Sequence, residues 1–381
     1  MALPSVMAAA SLEVLLSQLL QPGTEAIRTA EEALRKALSQ PVFICDLFQQ
    51  LQHSPSPQIR QLAAVLVRRR IGALWTKLDA AVQVHLQALL LQRLPSEPER
   101  PVRRSITSVV SVVARHAMPK GTWPELFGFL FQCSQAPAAE HRELSMILIA
   151  ALLESPEVVE ASLRPHFELL GKTMQGLLAD PESNQVRSAA LKAVGAWATI
   201  VIDEDDGARV LKPLIGPIVE LCHACATVSD EDTLTQAFSI LYDLLEAETT
   251  IINPHLAPVL EFTLNTATSS SMESSSRVAA LNVVSVALMC KRKAMIKQKL
   301  VPAVTAKLFE ACATSADDDD DEDDEDTGTS IKRRATQVGP WHACTYVCAC
   351  VRVCMCACVH VCVCVCVRVC MCLRARMYVN I

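Results

Sequence analysis

Apolar side chains recur at helical spacing along most of the chain. After Ile59-Arg60, for example, Leu62, Ala63 and Leu66 fall on one face of a 3.6-residue helix. Six such segments share one marker position, occupied by Arg60, Arg103, Arg142, Arg187, Leu234 and Arg277. Consecutive markers are 43, 39, 45, 47 and 43 residues apart. This nearly constant period predicts a repeated structural unit.

A second apolar segment lies before five of the six markers, and another follows the last marker. These segments cover residues 42–51, 123–133, 167–178, 211–222, 256–264 and 301–312. Two helices within a period of about 40–47 residues are typical of HEAT and armadillo repeats. We therefore predict an all-α, HEAT/armadillo-type α-solenoid, a superhelix of about seven antiparallel helix pairs between Ser11 and Ala313. An ordinary helical bundle is the alternative, but five near-equal spacings favour stacked repeats.

Composition narrows the class of protein. Hydrophobic residues make up 51% of the chain, with only 11 Gly and 3 Tyr, which favours helices. The net charge is −6 and no basic stripe appears, so direct nucleic-acid binding is not expected. The N-terminus lacks a basic segment before its apolar stretch, and the apolar run Leu144 to Leu153 is too short to span a bilayer. Neither a signal peptide nor membrane insertion is therefore expected.

Catalytic and metal-binding motifs are not recognisable in the sequence. It contains no Gly-rich phosphate loop, nucleophile elbow or His-Glu-x-x-His motif, so we expect no enzyme activity and no cofactor. Cys222-His223-Ala224-Cys225 has the Cys-x-x-Cys form without a second pair nearby, and we interpret it as core packing rather than a metal site. Sparse, irregularly spaced cysteines before residue 338 suit a reducing compartment.

The segment from Ser56 to Ile71, followed by Trp75, resembles the N-terminal domain of the importin-β family. Residues 30–34 and 41–43 resemble the helices before that signature, and Trp123-Pro124-Glu125-Leu126 resembles the start of a later repeat. The resemblance extends over residues 11–326. It implies a nuclear transport receptor that shuttles between cytoplasm and nucleus. Such receptors bind cargo and Phe-Gly nucleoporins, and release cargo when the Ran GTPase binds in its GTP form.

The resemblance also implies candidate Ran-binding residues on the second helices of the early repeats. These candidates are Arg60, Arg68, Arg104 and Arg142. An alternative remains open for the arginines that follow Ile59, Val102 and His141: they fix the turns between repeats. The sequence alone does not decide between these two roles.

A run of ten acidic residues follows the last predicted repeat. It consists of Asp317, Asp318, Asp319, Asp320, Asp321, Glu322, Asp323, Asp324, Glu325 and Asp326. Like charges repel, so the run is predicted to form a loop that is either simply solvated or attractive to basic partners. The family resemblance favours a binding role, with basic cargo such as histones or ribosomal proteins.

The last part of the chain has a different character. Eleven of the 17 cysteines lie between Cys344 and Cys372, mostly alternating with Val. A TG dinucleotide repeat encodes Cys-Val, so we interpret residues 338–381 as intron-derived and not folded with the repeats. A metal-thiolate site in this tail is the weaker alternative. Family receptors are much longer than this chain, so the product is expected to be truncated.

Four regions are predicted from these features. Residues 1–95 are the family N-terminal domain, 96–316 further repeats, 317–337 an acidic and then basic loop, and 338–381 the Cys/Val tail. A general HEAT-repeat scaffold for protein complexes is the alternative function. The segment from Ile59 to Trp75 argues against it, because a general scaffold does not need that signature.

Overall fold

The computed structural model describes residues 4–202, 204, 206–247 and 250–314. The acidic run and the Cys/Val tail lie outside these residues, so the predictions made for them stay predictions. Throughout the described ranges, the regular elements are helices and no strand occurs. The chain divides into two compact units, Met1–Ile200 and Val201–Ile381. The predicted boundary after residue 95 therefore stays a prediction too.

The first unit is a series of consecutive helices. They are α1 (Ala9–Leu19), α2 (Thr24–Ala37), α3 (Phe43–His53), α4 (Pro57–Leu74), α5 (Ala80–Ser96), α6 (Arg100–Ala117), α7 (Glu125–Ser134), α8 (Ala139–Leu153), the single turn α9 (Pro156–Val158), α10 (Phe167–Leu178) and α11 (Asn184–Val201). The predicted marker helices correspond to α4, α6, α8 and α11. The predicted intervening helices correspond to α3, α7 and α10.

Local sequence explains where the marker helices begin. Pro57 occupies the first turn of α4, where its missing N–H costs no helical hydrogen bond. The Ser56 hydroxyl caps the helix by accepting from the Ile59 amide at 3.4 Å. Ile59, Ala63 and Val67 then form a buried stripe. These residues are four positions apart, so they lie on one face of α4, and burying that face stabilises the helix that the sequence predicts.

The second helices α4 and α6 pack side by side at Gly72. A Cβ placed on Gly72 of α4 would lie 3.6 Å from Val112 Cγ1 and 3.5 Å from His116 Nε2, both on α6. These are ordinary van der Waals distances, so the two helices are in close contact at this point. Stacking of one repeat on the next is what buries the apolar face of each helix pair.

The N-terminal segment is held by polar groups of α3. The Asp46 carboxylate accepts hydrogen bonds from the backbone amides of Val6 (2.9 Å) and Met7 (3.1 Å). The Gln50 side-chain amide donates to the carbonyl of Ala9 at 2.7 Å. Because Asp46 and Gln50 are buried, these bonds fix the start of α1 against the second helix pair.

The second unit continues the same pattern. Its helices are α12 (Gly207–Val228), α13 (Glu231–Glu246), α14 (Leu256–Thr268), α15 (Ser274–Cys290), α16 (Arg292–Lys297) and α17 (Val301–Thr314). The markers Leu234 and Arg277 lie on α13 and α15, as predicted. Three basic residues, Lys291, Arg292 and Lys293, directly follow α15. The buried Lys291 ammonium donates to the carbonyl of Ala247 at 2.5 Å.

Helix α12 is long and apolar enough, by length and composition alone, to cross a membrane. It contains Pro213 and Pro217, and Leu214, Ile218 and Cys222 on one face are buried. The His223 ring of α12 also packs edge-on against the Phe262 ring of α14, with the ring centroids 4.4 Å apart. This packing is typical of a core helix in a repeat protein.

Candidate functional site

Marker arginines tie each second helix to the turn that precedes it. Arg60 Nη1 donates to the carbonyls of Ser54 (3.0 Å) and Pro55 (3.1 Å). Arg103 Nη2 donates to the carbonyl of Glu97 at 2.8 Å. Arg142 Nη1 donates to the carbonyls of Ala136 and Pro137 in the same way. These bonds are the ones expected if the arginines fix the turns between repeats.

Arg60 also joins its repeat to the next one through Glu97. Its Nε and Nη2 atoms donate to the two carboxylate oxygens of Glu97 at 3.0 and 2.8 Å. Arg93 adds a third contact to this carboxylate at 2.6 Å. Burial alone would raise the pKa of Glu97, but the hydrogen bonds from Arg60 and the Glu99 amide outweigh it, so the pKa is lowered. Arg60 itself is only 6% exposed, so its bonds are enclosed in the protein.

Arg142 of α8 makes the same kind of arrangement further along the chain. Its Nε and Nη2 atoms donate to the Asp180 carboxylate at 2.7 and 3.2 Å, and Nη2 also donates to Glu182 at 2.9 Å. Burial opposes ionisation of Asp180, yet hydrogen bonds from Arg142 and from the amides of Glu182 and Ser183 lower its pKa. These carboxylates in turn raise the pKa of Arg142 above its usual range.

Arg68 and Arg104 are placed differently from Arg60 and Arg142. Both side chains are exposed, on the adjacent second helices α4 and α6. Arg69 and Arg70 beside Arg68 are exposed as well. Within the described ranges, no hydrogen bond or ion pair engages the guanidinium group of Arg68 or Arg104. A protein partner can therefore reach these two candidates directly.

An aromatic surface on α7 was missed when the sequence was interpreted. Phe127 stacks on His166 with ring centroids 4.0 Å apart, and its centroid lies 6.1 Å from that of Phe131. Both phenylalanines are only half-buried, and a Cβ on Gly128 between them would meet nothing within 4 Å. The signal was present in the sequence, because Phe127, Phe129 and Phe131 cannot all point into the core from one helix.

The next feature is the set of side chains that could bind a metal or act in redox chemistry within the described part of the chain. No group of three or more His, Cys, Asp or Glu side chains there is arranged to hold a metal ion. Cys222 and Cys225 are buried in α12, and burial raises the pKa of the Cys222 thiol. Burial also raises the pKa of Cys45 and Cys133 to about 11. Cys45, Cys133 and Cys222 are therefore neutral thiols at cellular pH, and all four buried cysteines pack as apolar groups.

Comparisons with known proteins decide the family. The Importin-beta N-terminal domain matches residues 30–110, and the family described as IPO5-like, TPR repeats matches residues 98–262. Importin-4 of Mus musculus is 31% identical over 305 residues, which cover 80% of this chain and 27% of the mouse protein. The chain belongs to the importin-β family. Members of this family are nuclear transport receptors and not enzymes.

Other members of the importin-β family have a similar sequence identity to this chain. Importin-4 of Homo sapiens is 31% identical over 311 residues, which cover 81% of this chain and 28% of the human protein. The probable importin subunit beta-4 of Schizosaccharomyces pombe is 32% identical over 145 residues, 38% of this chain and 14% of the yeast protein. The matched part of this importin-β chain thus corresponds to less than a third of each of these relatives.

Solved karyopherin structures share the fold. Kap121p superimposes with a TM-score of 0.70 at 17% identity, over 89% of this chain and 34% of Kap121p. Kap121p bound to RanGTP gives a TM-score of 0.68 at 17% identity, over 87% of this chain and 32% of that protein. The prediction of an all-α, HEAT-type solenoid is therefore confirmed for this importin-β chain.

Proposed function

We propose that the described repeats form the Ran-contacting part of a nuclear import receptor, with Arg68 and Arg104 as contacts to Ran in its GTP form. The observation that carries this proposal is the exposure of both guanidinium groups on the adjacent helices α4 and α6. Arg60 and Arg142 hold the turns before α4 and α8 in place, so they contribute by positioning helices. Kap121p, which shares the fold, has been solved with RanGTP bound.

The test measures binding of the full chain to Ran loaded with GTP and with GDP. We expect clear preference for the GTP form, and a loss of about tenfold or more in affinity for Arg68→Glu and for Arg104→Glu. Lys120→Glu changes charge equally at an exposed position in the turn after α6, and should leave the affinity unchanged. Equal binding of both nucleotide forms, or equal losses in all three variants, would contradict the proposal.

A second contact is proposed for nucleoporins at the aromatic surface of α7. The half-buried rings of Phe127 and Phe131, with open space at Gly128, can stack against the phenyl group of a Phe-Gly segment. Kap121p has been solved bound to the nucleoporin Nup53p. A Phe-Gly peptide should bind the chain more strongly than a Ser-Gly peptide of equal length. Phe127→Ala should remove that difference, whereas Val84→Ala, at an exposed position of α5, should preserve it.

Basic cargo and shuttling complete the proposed function. The acidic residues 317–326 give a local negative charge that attracts Lys/Arg-rich proteins such as histones or ribosomal proteins. A receptor with these contacts moves between cytoplasm and nucleus. The alternative, a general repeat scaffold, is favoured if the chain binds neither form of Ran nor the Phe-Gly peptide.

A further inference from the structure

Three Ser-Pro dipeptides occur in the sequence, and Thr-Pro does not occur. The three serines are Ser54, Ser56 and Ser155. Ser54 is 7% exposed and its hydroxyl donates to Glu13 at 3.2 Å. Ser155 is 3% exposed and its hydroxyl donates to Glu157 at 3.0 Å. A kinase therefore cannot reach either hydroxyl without local unfolding.

Ser56 differs from the other two serines in its exposure. Its side chain is partly exposed, and its hydroxyl donates to the exposed Gln58 side chain at 2.9 Å. Ser56 has φ −79° and ψ 119°, and Ser54 has φ −63° and ψ 132°, so the backbone at both serines is extended. An extended segment with proline directly after the serine is the form that a proline-directed kinase accepts. The turn between α3 and α4 presents Ser56 in that form while the protein stays folded.

A phosphate on Ser56 would also be compatible with the fold. Ser56 is the N-cap of the 18-residue helix α4, where negative charge is favourable. The guanidinium of Arg60 lies in the same turn, because Nη1 is bonded to the carbonyls of Ser54 and Pro55. The hydroxyl receives only a long cap bond of 3.4 Å from the Ile59 amide. Phosphoryl oxygens are stronger acceptors than the hydroxyl that they would replace.

We propose that Ser56 is a phosphorylation site for a proline-directed protein kinase, and that the phosphate is accommodated at the start of α4 without unfolding it. In the reaction, the Ser56 hydroxyl oxygen forms a bond to the γ-phosphorus of ATP. The bond from that phosphorus to the bridging oxygen breaks, ADP leaves, and the hydroxyl proton passes to the catalytic base of the kinase. The proposal does not depend on the transport function.

The test uses the full chain and a kinase selected because it phosphorylates two synthetic peptides, residues 48–62 and 149–163. With MgATP and the folded chain, mass spectrometry should find one phosphate, on Ser56, and none on Ser54 or Ser155. Ser56→Asn retains a capping side chain but has no hydroxyl, so it should take up no phosphate. Ser54→Ala and Ser155→Ala should be modified as fully as the parent chain.

Two results would overturn the proposal. The first is a folded chain that stays unmodified while the peptides react, or that is modified at Ser54 or Ser155. The second is a thermal unfolding midpoint that falls after phosphorylation, since a phosphate held at the start of α4 should leave the midpoint equal or higher. Circular dichroism of the Ser56→Asn variant verifies that its lack of phosphate is not caused by misfolding.

Discussion

Arg60 and Glu97 form an enclosed, two-pronged ion pair between residues 37 positions apart, with N–O distances of 3.0 and 2.8 Å. Arg142 and Asp180, 38 positions apart, form the same kind of pair. In both cases the arginine begins a second helix, and the acid lies in the turn before the next one. The first unit thus contains two ion pairs of the same kind, and each fixes the position of one repeat against the next.

Removing Arg60 should destabilise the first unit strongly. Arg60→Ala leaves the Glu97 carboxylate buried without its main partner, which costs about 3–5 kcal/mol of unfolding free energy. Arg68→Ala, on the same helix but exposed, should change it by no more than about 0.5 kcal/mol. Urea unfolding followed by circular dichroism measures both. Similar losses for the two variants would show that the ion pair has no special role.

The stability of the first unit should fall in acid. The pKa values of Glu97 and Asp180 are lowered in the folded state, so the folded chain binds fewer protons than the unfolded chain. Their contribution is complete above the unfolded pKa values of about 4 and is lost as pH falls through the folded values. Unfolding free energy, measured by urea titration from pH 7 down to pH 3, should decrease over this range.

Asp180→Asn identifies one source of that acid sensitivity. The variant is less stable at pH 7, but its stability should depend less steeply on pH, because one low-pKa carboxylate is gone. Glu25→Gln, at an exposed position of α2, should keep the parent slope. If Asp180→Asn also kept the parent slope, the lowered pKa of Asp180 would not contribute to stability.

Two glycines of α10 should respond in opposite directions to alanine. A Cβ on Gly171 would lie 2.8 Å from Cη2 of Trp197, a fully buried ring that also contacts Phe167 edge-on. Gly171→Ala should therefore cost about 1–3 kcal/mol. Gly176→Ala has open space and should gain up to about 1 kcal/mol from helix propensity. Thermal unfolding of both variants checks the sign of each effect.

Neutralising the acidic run should slow the capture of basic partners. If all ten acids from residue 317 to 326 are replaced by Asn or Gln, the association rate with a Lys/Arg-rich peptide should fall, and its salt dependence should weaken. Stopped-flow fluorescence at two salt concentrations measures both effects. Affinity of the same variant for Ran serves as the control for folding. An unchanged rate would favour the simple solvated-loop interpretation.

The sequence was sufficient to predict the helices because their periodicity is local. Arg60, Arg103 and Arg142 lie at the starts of α4, α6 and α8, where the repeat spacing places them. The partners of these arginines were not predictable, since Glu97 and Asp180 meet them only after the repeats stack. Helix α12 covers the predicted segment 211–222 and continues through Pro213 and Pro217, where a proline inside a helix would ordinarily cause a break.

The arginine–acid pairs have a consequence for how such arrays grow by gene duplication. Each acid lies 37 or 38 residues after its arginine, which is slightly less than one repeat period. A duplicated stretch of one whole period that starts at the arginine therefore carries both members of a pair. A shorter duplicated stretch copies the arginine without its carboxylate and leaves a charged group without its partner. The unit that evolution can copy without loss is therefore the whole period and not a single helix.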